Sequence, residues 1–115
     1  MSDNIIQKKS FEFALNIIRL YQQMQEQREY VLSKQLLRSG TSIGANVEEA
    51  LAGQSRRDFL SKMSIASKEA RETRYWLHLL QQSNLVEVDV LNYLKQIDEI
   101  IRILTSIVKT TGQTK

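Results

Sequence analysis

Apolar side chains recur along this chain at alternating spacings of four and three, the mark of helices that each bury one stripe. The pattern is clearest in the third segment, at about 56–82, where Phe59, Met63, Ala66, Ala70, Thr73, Leu77 and Leu80 form an uninterrupted heptad seam. Ser55, with Asp58 three residues on, predicts its start as a capping box with Asp in place of Glu. After the polar pair Ser83 and Asn84, a turn signal, Val90, Leu94, Ile97, Ile101, Leu104 and Val108 repeat the spacing and predict a helix at about 87–110. The first helix is expected at about 4–24, and it carries two apolar stripes side by side. One is Phe11, Ala14, Ile18 and Tyr21; the other is Phe13, Ile17, Leu20 and Met24.

The second segment, at about 28–53, places Leu32, Leu36, Ile43, Val47 and Ala50 on one stripe, with Gly40 and Gly44 inside it. Either RSGTSIGAN is a loop between two short helices, or one long helix places glycines where a neighbouring backbone comes close. Each glycine costs a helix ~1 kcal/mol relative to alanine. The apolar phase nevertheless runs unbroken across both, and a loop would usually reset it, so the continuous helix is the better reading. Four helices joined by short connections imply an all-α, antiparallel up-down-up-down four-helix bundle, with residues 1–115 as one domain.

A bundle helix needs an apolar stripe only roughly 100° wide. The first and last helices exceed it. Phe13, Leu20 and Met24 on one, and Ile100, Ile103 and Ile107 on the other, are extra apolar positions beside the expected core seams. They are read as a subunit interface, since two exposed stripes would invite aggregation.

Composition narrows the picture further. The chain has no proline, which permits long helices, and no cysteine, which excludes disulfides and thiolate metal sites and fits a cytoplasmic location. No secretory signal is recognisable at the N-terminus, and no apolar run approaches the ~20 residues of a membrane span. The single histidine, His78, has Tyr75 three residues before it, so the Glu-x-x-His pairs of a di-iron bundle are missing. The glycines lack the Gly-Lys-Ser/Thr of a phosphate loop. No catalytic or metal-binding constellation is recognisable, and the expectation is a protein without cofactor that is not an enzyme.

Two charged groupings stand out. Arg38 or Arg74, with Glu49, Glu69 and Glu72, lie on flanks next to the core seams, where polar groups must be paired; they are read as a structural network. The net charge of +3 is matched by the third helix alone, which sets Arg56, Arg57, Lys62, Lys68, Arg71 and Arg74 against Asp58, Glu69 and Glu72. Such a stripe suits phosphates, although i,i+4 pairs such as Lys68 with Glu72 would account for part of it.

The blocks QLLRSGTSIGANVEEALAG (35–53) and FLSKMSIASKEARETRYWLHLL (59–80) closely resemble the four-helix-bundle family named for proteins encoded in intervening sequences of bacterial 23S rRNA genes. The resemblance covers essentially the whole chain and is most specific in those two blocks. It implies an antiparallel bundle with a continuous second helix and no enzymatic activity. It also implies self-association, since related members form ring-shaped homopentamers. A relative, the accessory protein of diversity-generating retroelements, is a basic pentamer that partners a reverse transcriptase and binds nucleic acid. Arg38, Lys68, Arg71 and Arg74 match positions in the two blocks. The expectation is therefore a homo-oligomeric scaffold or adaptor that contacts RNA or DNA through its third helix, with a protein-interaction module lacking nucleic-acid contacts as the alternative.

Overall fold

The computed structural model describes residues 2–113, with side chains from residue 5 onward. Four helices account for most of it: α1 (Ser2–Glu26), α2 (Leu32–Leu51), α3 (Arg56–Ser83) and α4 (Leu91–Gln113). They form a rod of 49 × 21 × 21 Å. Each helix packs along its two neighbours, α4 closing back on α1, and among the described residues no backbone close approach joins either diagonal pair. Side-chain bonds give the directions. Gln7 reaches Glu48 near one end of the α1–α2 pair, and Gln25 reaches Ser33 near the other. Likewise Arg38 reaches Glu69 while Lys62 reaches Glu49, and Arg71 reaches Thr105 while Arg74 reaches Asp98. Rising numbers on one helix meet falling numbers on the next, so the bundle is up-down-up-down.

The core follows the heptad seams. Met63, Ala66, Ala70, Thr73, Leu77 and Leu80 of α3 are buried, as are Leu94, Ile97, Ile101 and Leu104 of α4. On α1 the buried set is Ile6, Ser10, Phe13, Ile17, Leu20 and Met24, a four–three repeat that a serine disguises as polar. This corrects the interface reading. Phe13, Leu20, Met24 and Ile100 are at most 2% exposed within the single chain and belong to its own core. Ile103 and Ile107 are half-buried and pack against that core. Of the other α1 stripe, Phe11 is 61% and Ile18 39% exposed, with Leu15 beside them, while Ala14 and Tyr21 are half-buried.

α2 runs through both glycines without a break. A Cβ on Gly40 would stand 2.9 Å from two carbons of Ile17, and one on Gly44 would stand 3.4 Å from the Ser10 carbonyl oxygen. The glycines let α2 settle onto α1. The hydroxyls buried nearby are all satisfied: Thr73 Oγ1 lies 2.8 Å from both the Ser39 hydroxyl and the Glu69 carbonyl oxygen, and Ser10 donates to the Gln7 carbonyl.

The helix ends differ from the spacing in instructive ways. α2 begins at Leu32 because α1 ends in a Schellman turn: the Glu29 N–H donates to the Met24 carbonyl, the Arg28 N–H to that of Gln25, and Arg28 takes a φ of 63°. The Glu29 carboxylate then accepts the N–H groups of Val31, Leu32 and Ser33 and caps α2. α4 begins at Leu91, after a non-helical segment at 84–90 opened by Asn84 in the left-handed region (φ 56°). The Gln27 amide holds that segment to α1, donating to the Glu87 carbonyl and accepting the Glu87 N–H. α4 continues through Gly112, which keeps a helical φ. No helix among the described residues is long and apolar enough to cross a membrane.

Candidate nucleic-acid interface

The charges of α3 sort by the helix they face. Toward α2, Arg38 forms ion pairs with Glu69 at 3.1 Å and with Glu72, and the Trp76 indole N–H donates to Glu72 at 3.0 Å. Burial pushes the Glu72 carboxyl up, but the Arg38 guanidinium and the Trp76 N–H outweigh it and hold it below the ordinary carboxylate range. Arg38, Glu69 and Glu72 are thus brought together as the spacing implied. Glu49 is not part of that group: about three turns of α2 separate it from Arg38, and it pairs instead with Lys62 at 2.9 Å. Lys62 is accordingly engaged on the α2 side, away from the other candidate phosphate contacts.

Toward α4 the balance is different. Arg71 donates to Thr105 Oγ1 at 3.1 Å, and Arg74 pairs with Asp98 at 3.3 Å. Asp98 and Thr105 lie on an outer stripe of α4 that also holds Lys95, Arg102 and Lys109, at spacings of three and four. These three cations are exposed, and their spacing in the α4 sequence marks them as one stripe. The combined α3–α4 face holds Lys68, Arg71, Arg74, Lys95, Arg102 and Lys109 around Asp98, with Asp89 beside Lys95 and Glu99 beside Arg102 at its margin. Glu99 pairs with Lys9 of α1.

Arg56 and Arg57 are exposed in the first turn of α3, where Ser55 Oγ accepts the Asp58 N–H. Among the described residues no ion pair engages Arg56, Arg57 or Lys68. Tyr75 lies on the outermost line of α3 with Lys68, 57% exposed, and its ring meets that of Trp76 edge-on at 5.2 Å. His78 is exposed one turn further on. Among the described residues no three His, Asp or Glu side chains converge as a metal site would require. The arrangement offers a polyanion both charge and hydrogen-bond donors.

A family model described as 23S rRNA-intervening sequence protein matches residues 2–106. The crystal structure of a protein of unknown function from the S23 ribosomal protein family of Bacteroides thetaiotaomicron VPI-5482 superposes with a TM-score of 0.88. It is 49% identical, and the match covers 95% of this chain and 99% of that one. No curated protein matches. With a family model spanning nearly the whole chain and a bundle of the same fold at this identity, the chain belongs to the 23S rRNA-intervening sequence protein family.

Proposed function

We propose that the chain is a non-enzymatic, self-associating scaffold that contacts nucleic acid through the α3–α4 face. The observation that carries this reading is the charge of that face, six cations over two neighbouring helices around Asp98, with Asp89 and Glu99 at its margin. Phosphates bound there release counterions, so binding weakens as salt rises. Self-association multiplies such contacts, because copies held together meet one polyanion at high effective concentration. The exposed line of Phe11, Leu15 and Ile18 on α1 is the apolar surface on which copies would meet, in place of the four core residues first assigned to that role. By resemblance to the family the assembly is a homopentamer.

The test is binding to structured RNA and to duplex DNA across a salt series, with the wild type and with Lys68→Glu/Arg71→Glu/Arg102→Glu. Wild-type affinity should fall steeply with salt, and each lost phosphate contact should lower the log–log slope by about 0.7–0.9. Absence of binding by the wild type at low salt overturns the reading. The same α1 line supports a second reading, a protein-interaction module that receives a partner helix. Recovery of one protein partner after nuclease treatment, abolished by Leu15→Glu, would favour it.

A further inference from the structure

We infer that Tyr75 is a stacking platform for an unpaired base, so that the strand held on the α3–α4 face is single-stranded; this rests on the nucleic-acid reading above. Phosphates alone would need only the cations. Tyr75 is 57% exposed on the outer line of α3, with Lys68, Arg71 and Arg74 on the turns before it, so most of its ring is left open to a ligand. Its setting is also braced from behind. Arg38 holds Glu72, Glu72 accepts the Trp76 indole N–H at 3.0 Å, and Trp76 meets the Tyr75 ring edge-on at 5.2 Å and 65°. An edge-on contact with Trp76 restrains the ring while more than half of the side chain stays open to solvent.

Two cations and an imidazole fall at suitable intervals around it. With a rise of 1.5 Å per residue, Arg71 stands about 6 Å and Lys68 about 10 Å along the axis on one side of Tyr75, and His78 about 4.5 Å on the other. All four positions are exposed. Arg71 is steadied by Thr105, so one phosphate donor is already oriented. Bases of any identity offer a π-face, so the strand would be read by stacking and charge without sequence preference.

The inference is tested by fluorescence anisotropy with labelled, unstructured 20-nucleotide RNA and DNA strands, the corresponding duplexes, and a fully abasic DNA strand of equal length. The wild type should bind a base-bearing strand at least about tenfold more tightly than the abasic strand, with the better of RNA and DNA identifying the sugar preferred. Tyr75→Ala should lose roughly that factor on the base-bearing strand and nothing on the abasic one, while Tyr75→Phe keeps it. Equal wild-type affinity for abasic, base-bearing and duplex ligands overturns the stacking role and leaves polyanion binding standing. Failure to bind any of them overturns both. The abasic comparison uses the wild type alone, so it decides the matter even where Tyr75→Ala is poorly folded.

Discussion

Gly40 and Ile17 are so close that an added Cβ would fall 2.9 Å from both γ-carbons of the isoleucine. Ile17 is β-branched and fully buried, so it cannot turn aside cheaply. Gly40→Ala should therefore lower stability by about 1–3 kcal/mol despite alanine's higher helix propensity. Gly44→Ala should be neutral or stabilising by up to ~1 kcal/mol, because its Cβ meets the Ser10 carbonyl only at ordinary contact distance. Urea unfolding of the two variants side by side would show the contrast; equal effects would count against the close approach.

Glu29 caps α2 with three backbone N–H groups on one carboxylate. Burial pushes its carboxyl up, yet the N–H groups of Leu32, Ser33 and Val31 outweigh that and leave it below its ordinary value of 4.5. A folded-state pKa below the unfolded one means the cap contributes fully above about pH 4.5 and is lost as pH falls through the lowered value. Glu29→Gln should cost about 1 kcal/mol at pH 7, as a lost cap does. The gap between wild type and variant should close in acid, as followed by thermal unfolding from pH 7 down to pH 3.

Arg28 occupies the left-handed region in the Schellman turn, a conformation that costs a residue with a Cβ about 1–2 kcal/mol. It is exposed and engages no ion pair among the described residues. Arg28→Gly should raise stability by about 0.5–1 kcal/mol, net of the entropy glycine adds to the unfolded chain. A lower melting temperature would contradict this.

Trp76 is the chain's single tryptophan and donates to Glu72, so its fluorescence reports that carboxylate. The emission should titrate below the ordinary carboxylate range, and Arg38→Gln should move the midpoint upward by removing the guanidinium that holds it down. The stability change should be less than ~1 kcal/mol, because Arg38 is half exposed.

On the outer face of α1, Leu15→Glu with Ile18→Glu should leave folding within about 0.5 kcal/mol, as surface changes usually do, while lowering the sedimenting mass. An unchanged assembly would move the interface elsewhere.

Most of the fold is legible in the sequence, because the four–three spacing of apolar residues sets which face of α3 and α4 turns inward. α1 is the exception, and the reason is local. Its true seam passes through Ser10, which reads as polar, while Phe11, Ala14, Ile18 and Tyr21 offer a rival apolar stripe. The tie is broken by contacts outside α1, where Gly40 and Gly44 of α2 accept Ile17 and Ser10. Of the charged network, Arg38, Glu69 and Glu72 could be grouped from their flanks. The pairing of Glu49 with Lys62 depends on the stagger between α2 and α3, which neither helix encodes alone. The α4 half of the basic face is hidden in the sequence for a related reason: its charges become one surface with those of α3 only once Arg71 and Arg74 reach across.

The closing of α4 onto α1 also sets an order of events at the ribosome. Chain synthesis releases α1 first and α4 last, so Phe13, Ile17 and Leu20 emerge long before Leu94, Ile97 and Ile100 arrive to complete the core around them. Until then those α1 side chains lack their α4 partners, and apolar surface left open in this way favours aggregation.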